Sequence, residues 1–439
     1  MTDPELFSTP KALFHTFGCK LNFAETSSIA RRLAERGIMR VQKGEIPDII
    51  VVNTCSVTEL ADKKCRQAIR NFSRRYPEAA IMLTGCYAQL KPEEAAALPG
   101  VAIVTGTDSK MKLPELIEQW LRDRKKLTFN VKAKDIDQFE PSCSYGDRTR
   151  RFLKVQDGCD YWCSYCTIPM ARGRSRSGKI EEITAQARKA AAEGAKEIVL
   201  TGVNIGDFGK GTDETFYDLI RRLDDIEGIE RYRISSIEPN LLTPEIIEFT
   251  ASSRAFMPHF HIPLQSGSDR VLTLMRRRYD TSLFKERIEQ IRALMPDAFI
   301  GVDIIAGSRG ETDEEFEKSY DFCKGLDITK LHVFPYSERP GTKALDLQET
   351  VVPQEEKHRR VNRLLRLSEE KSLRFATKFI GTVRPVLMEH TEHGGKIFGF
   401  TDNYLKVSLA ADANLFNKII PVKLSELSSD SESIIGTML

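Results

Sequence analysis

The sequence predicts an α/β chain in three parts. They are an N-terminal doubly wound parallel α/β domain, a central partial (β/α)6 barrel and a small C-terminal β-barrel. Three observations predict this. Short apolar runs alternate with helical patterns from about residue 11 to 125, and the alternation resumes at 152 for six further units. Past residue 379, β-branched and aromatic residues instead alternate with polar ones around Gly381, Gly394-Gly395 and Gly399. Strands alternating with helices imply right-handed crossovers and a parallel sheet, whereas period-two alternation with glycine turns implies a meander.

In the first part, residues 12–17, 48–52, 80–84 and 101–104 have strand length and β-branched or aromatic content. Residues 23–36, 59–75, 92–98 and 111–124 carry the helical patterns between and after them. Lys125–Lys132 fits one edge strand, and Glu140-Pro141-Ser142 with the polar run 146–151 reads as a linker. The central strands are expected at 152–156, 197–201, 231–235, 260–263, 298–305 and 330–334, with helices at 180–193, 214–225, 244–251, 268–277, 283–295 and 311–326. Six units are too few for a closed eight-unit barrel, so an open one is expected. A charged helix follows over 354–378, with Leu364, Leu365, Leu367 and Leu373 as packing positions. The division is therefore 1–130, a linker 131–150, 151–376 and 377–439.

With 65 Lys+Arg against 63 Asp+Glu, a uniformly basic nucleic-acid coat is excluded, though a local basic patch is not. No apolar stretch approaches the roughly 18 residues of a membrane span, and Met1-Thr-Asp-Pro-Glu5 lacks a secretory start. A cytoplasmic protein without membrane association is expected. Nine cysteines then read as metal or catalytic thiols rather than disulfides.

Cys159, Cys163 and Cys166 form Cys-x3-Cys-x2-Cys directly after the first central strand, at the strand end where β/α active sites form. Three thiolates on one tight loop suit an iron–sulfur cluster with one iron left open. Zinc usually takes four ligands, and the nearest histidines, His15 and His259, are far off in sequence. Cys19, Cys55 and Cys86 are distant in sequence, yet each stands one to three residues beyond an expected strand. If those strands are parallel neighbours, the three thiols converge at the carboxyl edge of the sheet, where open α/β sheets bind ligands. A second three-thiolate cluster is the reading. Cys65, Cys143 and Cys323 receive no ligand role.

The Cys-x3-Cys-x2-Cys spacing is the signature of the radical S-adenosylmethionine (SAM) family. Further motifs are Phe17-Gly-Cys-Lys-Leu-Asn22, Asn53-Thr-Cys55, Thr84-Gly-Cys-Tyr-Ala-Gln89, Ile168-Pro-Met-Ala-Arg-Gly-Arg174, Ser235-Ser-Ile-Glu-Pro239 and His261-Ile-Pro-Leu-Gln-Ser-Gly-Ser268. Together they resemble the methylthiotransferases of that superfamily over nearly the whole chain, and residues 377–439 are similar to the RNA-binding TRAM domain. The stretch from Asn53 to Gln67 looks most like the branch that acts on N6-threonylcarbamoyladenosine at tRNA position 37. Branches acting on isopentenyladenosine or on a ribosomal protein side chain are the alternatives. One departure is Gly307-Ser-Arg-Gly-Glu-Thr312, where the family usually has Gly-Phe-Pro-Gly-Glu-Thr; Thr312 is left as a helix N-cap.

The resemblance implies two 4Fe-4S clusters and two molecules of SAM. One SAM methylates a sulfur at the cluster of Cys19, Cys55 and Cys86. The other is cleaved at the cluster of Cys159, Cys163 and Cys166 to a 5′-deoxyadenosyl radical, which removes hydrogen from C2 of the adenine. It also implies the tRNA anticodon loop as partner and an electron donor of flavodoxin or ferredoxin type. Tyr165 would stand against the SAM adenine. Gly202, in Thr201-Gly-Val-Asn-Ile-Gly206, either admits the SAM amino group or forms an ordinary turn. Glu238 either bonds ribose hydroxyls or is a surface carboxylate. Gln265 fits a cofactor or base contact.

Lys63, Arg66, Arg70 and Arg74 share one helix face, either a phosphate-binding stripe or a solvated one. The runs 276–278 and 148–151 carry the same two readings. The last 63 residues hold six Lys+Arg against seven Asp+Glu, so RNA affinity there does not follow from bulk charge. Phe398, Phe400 and Tyr404 either stack bases or pack a core. A non-catalytic RNA-binding protein with structural or redox-sensing clusters is the rival of another class.

Overall fold

The computed structural model describes residues 10–146 and 148–439. The first nine residues, which contain the start read above for a secretory signal, and Asp147 of the expected linker lie outside the described residues.

Six parallel strands form the first sheet, in the order Met39–Arg40, Lys11–Thr16, Ile49–Thr54, Ala80–Gly85, Val101–Thr105 and Leu127–Phe129. Ile49–Thr54 and Ala80–Gly85 are buried at every position, because helices cover both faces. Val51, Met82 and Ile103 pack under the helices Lys20–Ala34 and Leu113–Asp123, while Val52, Leu83 and Val104 pack on the opposite face with Ile69. The order reverses between Lys11–Thr16 and Ile49–Thr54. This switch point is where such sheets leave a crevice for ligands.

Six parallel strands make the central layer: Arg150–Lys154, Glu197–Thr201, Arg231–Ile234, His259–Gln265, Phe299–Ala306 and Lys330–Pro335. The third and fourth are joined by the isolated bridges Tyr232↔Phe256 and Ser236↔His261. The result is the partial barrel expected. Its outer helices share one apolar core that includes Leu153, Ile198, Ile234, Ile262 and Ile304.

Three details differ from the sequence reading. Ser142–Cys143 is a strand inside the expected linker and pairs antiparallel with Arg150–Lys154; two residues are too few to show a period. Residues 86–98 hold two helices, Cys86–Leu90 and Pro92–Ala96, because Lys91 precedes a proline and leaves the helical region. In the helix Gln354–Thr377, Leu364 and Leu367 are buried against the last strand, but Leu365 and Leu373 face solvent, since the helical repeat turns them away.

The C-terminal strands Val383–His393, Lys396–Thr401, Lys406–Ala410, Ile434–Met438 and Ile419–Leu427 close into a barrel that sits on the lower mouth of the central one. Arg231 donates to the carbonyls of Phe400 and Pro385, and Arg233 to those of Thr401 and Asp402. Arg150 donates to Tyr404 Oη at 2.9 Å and lies over the Phe400 ring. Tyr404 packs against both His259 and Phe299, which stack on each other. Phe400 and Tyr404 therefore belong to a domain joint and not to a base-stacking surface, while Phe398 lies outside under Lys406.

Candidate active site

The strand Arg150–Lys154 delivers the chain to the upper mouth of the central barrel, and Gln156–Asp157 lead into Cys159. Gly158 has φ +68°, and a Cβ there would fall 1.9 Å from the Arg174 carbonyl oxygen, so the turn into the loop requires glycine. Each thiol of the loop receives one donor. The Tyr161 N–H reaches Cys159 Sγ at 3.4 Å, the Ile168 N–H reaches Cys166 Sγ at 3.4 Å, and Arg277 Nη1 reaches Cys163 Sγ at 3.0 Å. Donors of this kind stabilise sulfur that carries negative charge.

The second trio is assembled by topology. Cys19, Cys55 and Cys86 follow three adjacent parallel strands, at one edge of the sheet. Gly85 (φ +100°, ψ −168°) lies in a region that glycine alone adopts readily, and a Cβ there would stand 2.4 Å from the Thr54 carbonyl oxygen. Asn22 Nδ2 donates to the carbonyls of Phe17 and Thr54 at 2.8 and 3.1 Å, which ties the ends of two strands together. The Thr54 hydroxyl donates to the Thr84 carbonyl at 2.6 Å, tying in the third.

The two loops meet. The Thr167 hydroxyl, next to Cys166, donates to the carbonyl of Ser56, next to Cys55, at 3.3 Å. Arg339 then binds Ser56 Oγ at 2.8 Å and Asp62 at 2.9 Å. Behind them lies a buried charge network. Glu25 faces Lys110, Lys154 and Arg172; Asp157 faces Lys154, Arg172 and Arg176. Burial alone would push both carboxyls up, but the surrounding cations hold them far below the usual range. Four cations around two carboxylates leave a positive surplus, and the charge of Arg172 reaches Cys19 and Cys86.

This donor set fits thiolate-bound iron. Burial pushes the Cys55, Cys159 and Cys166 thiols up to about 12, so thiolates form there only against a compensating positive charge, which iron supplies. Among the described residues no three His, Cys, Asp or Glu are gathered as a single metal ion requires. A cluster in which each thiolate takes a different iron does not need that convergence.

Comparison with known proteins gives the family. The radical SAM superfamily matches residues 153–323, and the uncharacterized protein family UPF0004 matches residues 11–106. The chain is 40% identical over 420 residues to a Bacillus subtilis (strain 168) protein named threonylcarbamoyladenosine tRNA methylthiotransferase MtaB, covering 94% of this chain and 93% of that one. The chain belongs to the radical SAM methylthiotransferase family. It is also 33% identical over 420 residues to a Syntrophotalea carbinolica protein named tRNA-2-methylthio-N(6)-dimethylallyladenosine synthase, covering 93% and 96% of the two chains. In fold it is similar to the radical SAM methyltransferase TsrM from Kitasatospora setae, with TM-score 0.58 and 14% identity over 88% of this chain and 79% of that one. Membership in the radical SAM family carries with it SAM and a 4Fe-4S cluster.

Around the loop of this radical SAM fold, the expected contact residues are distributed as follows. Tyr165 is half-buried beside Arg277 and Tyr279, and burial raises its hydroxyl well above the usual range. Gly202 follows Glu197–Thr201 and packs on Gln156, whose Oε1 accepts the N–H groups of Val203 and Asn204. Glu238 is half-buried and paired with Arg277, so it is not a free surface carboxylate. Gln265 adopts φ +65° at a register shift in its strand, a strained position of the kind concentrated at functional sites.

The basic runs are mostly absorbed by structure. Arg277 supports Cys163, Arg278 lies over Tyr161, Arg150 joins the central and C-terminal domains, Arg151 donates to the Ser144 carbonyl and lies over Tyr145, and Arg66 pairs with Glu59 and Glu94. Lys63, Arg70 and Arg74 stay exposed. Thr312 caps Asp313–Gly325 as expected, and Arg309, which replaces the usual proline, binds Glu338.

Sequence reasoning missed several residues. Glu25 and Lys110 carry no motif beyond sitting close to a cysteine or strand end, and Arg172, inside the motif Ile168–Arg174, was given no role of its own. Asn204 keeps both side-chain polar atoms buried without a partner among the described residues, beside the cysteine loop. His261 binds Asp303 at 2.7 Å and stacks on His332 at 4.9 Å; burial, with His261 beside it, brings His332 down to about 4. They come from three adjacent strands, a relation that strand spacing alone could have suggested.

Proposed function

We propose that this radical SAM methylthiotransferase inserts a methylthio group at C2 of N6-threonylcarbamoyladenosine in the tRNA anticodon loop. It uses two SAM molecules, two 4Fe-4S clusters and an electron donor of flavodoxin or ferredoxin type. The observation that carries the reading is the contact of the two cysteine loops through Thr167 and Ser56, combined with 40% identity to a relative named for this activity. Cys159, Cys163 and Cys166 would hold the cluster that cleaves SAM, and Cys19, Cys55 and Cys86 the one that presents sulfur.

A cluster with bound SAM supplies a carbon radical, the oxidant that an unactivated aromatic C–H requires. The chain's own part is orientation and exclusion of water. Tyr165, Gly202, Glu238 and Gln265 are proposed to line the SAM site, with Arg277 fixing Glu238 and Cys163 at once. Glu25, Asp157 and their cations hold the two loops at fixed separation, which is what two reacting centres need. No helix among the described residues is long and apolar enough to cross a membrane, in keeping with a cytoplasmic tRNA substrate.

Nucleoside mass spectrometry of tRNA from a deletion strain tests the reading. Loss of the methylthio mark on threonylcarbamoyladenosine is expected. Unchanged tRNA, or loss from an isopentenyl nucleoside instead, would overturn it.

A further inference from the structure

We propose that Lys20 selects the substrate: its ammonium pairs with the carboxylate of the N6-threonylcarbamoyl group and disfavours adenines whose N6 substituent is neutral. The inference rests on the function proposed above and deepens it.

Lys20 follows Cys19 and begins the helix Lys20–Ala34. It lines two cavities. One, of about 890 Å³, includes Gly18 and Cys19; the other, of about 1070 Å³, includes His261 and His332 inside the central barrel. Its side chain therefore stands where the sulfur-presenting edge of the first domain opens into the barrel. Among the described residues it has no hydrogen-bond, ion-pair or aromatic partner, unlike its charged neighbours. Asp303 is occupied by His261, Glu25 by Lys110, Lys154 and Arg172, and Arg150 by Glu389 and Tyr404. Arg233 is occupied by Glu197 and two carbonyls of the C-terminal barrel.

Lys20 is half-buried, and no carboxylate among the described residues contacts it, so its charge is available to a ligand. A carboxylate on the substrate pairs with it, and an isopentenyl group does not. The other cations on the larger cavity are differently placed: Lys330 and Arg366 are exposed, and Lys406 lies over Phe398. N6 is attached to C6 of the six-membered ring that also holds C2, so a tail held at residue 20 keeps C2 in the neighbourhood of the adjacent thiol at residue 19.

The test uses the full chain, anaerobically reconstituted, and anticodon stem-loop RNA carrying threonylcarbamoyladenosine as the free acid or as its methyl ester. Wild-type protein is expected to bind the acid about ten- to a hundredfold more tightly, the range of a charge-assisted pair. Lys20→Met should bind acid and ester alike, Lys20→Arg should keep the preference, and Lys330→Met should behave as wild type. Equal wild-type binding of acid and ester overturns the proposal without any variant, as does a Lys20→Met protein that retains the preference with its iron content intact. Methylthio product on the acid RNA, measured by mass spectrometry in parallel, tests the proposed function separately.

Discussion

Cys159, Cys163 and Cys166 stand on one loop, with two backbone N–H groups and Arg277 aimed at their sulfurs. Cys19, Cys55 and Cys86 come from three strands, and what holds them is the order of the sheet, two glycines and the side chains of Asn22 and Thr54. The first trio is local: a small peptide segment already carries all three thiols. The second exists only once 75 residues of parallel sheet have formed, since parallel pairing needs crossovers. Loop-borne ligands fail one at a time, whereas strand-borne ligands fail together with the fold that aligns them.

The largest expected effect separates the two trios chemically. Cys159→Ala should abolish reductive SAM cleavage, measured as loss of 5′-deoxyadenosine. Cys55→Ala should spare cleavage and stop methylthio insertion. Iron analysis of the anaerobic protein should give roughly eight irons per chain for the wild type and about four for either variant, as two four-iron clusters require. If Cys55→Ala loses cleavage as well, the trios are not independent and the comparison breaks.

Next in size is the joint between the domains. Glu25→Gln leaves Lys110, Lys154 and Arg172 around a neutral amide, and breaking a buried pair from one side costs about 3–5 kcal/mol. Thermal unfolding followed by calorimetry should show the drop, with sulfur insertion falling more than SAM cleavage because only insertion needs both loops in register. The pH dependence follows from the same groups. Glu25 and Asp157 titrate below their unfolded values, so their contribution is complete above about pH 5 and is lost as the pH falls through the lower folded values. Stability should therefore be insensitive to these groups between pH 7 and 5 and decline below. A decline already present at pH 6 would mean that other groups control the joint.

The amount of this that was legible in the sequence divides along the same line. That Cys159, Cys163 and Cys166 share one strand-end loop was readable from spacing alone. The strand trio was readable only through an assumption about which strands are neighbours, and the sheet order supplies that. The partial barrel and the closed C-terminal barrel followed from periodicity. Residues whose roles arise from approach between distant segments were not legible. The run of three arginines with Arg277 read as phosphate-binding or solvated, Phe400 and Tyr404 as base-stacking or core-packing, and Glu25 within the first helix drew no reading. In each case the deciding partner lies over 35 residues away in sequence: Glu238 for Arg277, Arg150 for Tyr404, Arg172 for Glu25. Hydrophobic periodicity reports which face is buried and is silent about which polar groups meet there.

The smallest effects sharpen the comparison within the strand trio, where two glycines have unequal surroundings. At Gly85 a methyl group would stand 2.4 Å from the backbone oxygen of Thr54, and φ +100° with ψ −168° is itself costly for any other residue. Gly85→Ala should destabilise the first domain by about 3 kcal/mol, the upper end for such strain, read as a shift in its own unfolding transition. At Gly18, φ is +94° and the added methyl would meet Cys55 Cβ and Sγ at 3.0 Å, of which the sulfur can rotate away while the Cβ needs only a small backbone shift. The fold should lose only about 1–2 kcal/mol there. Because the displaced atom is the Cys55 sulfur itself, Gly18→Ala should lower the iron held by the first domain more than it lowers stability. Gly85→Ala should do the reverse. Equal ratios of iron loss to stability loss in the two variants would mean that Cys55 is not a ligand, and the strand trio would be reduced to two.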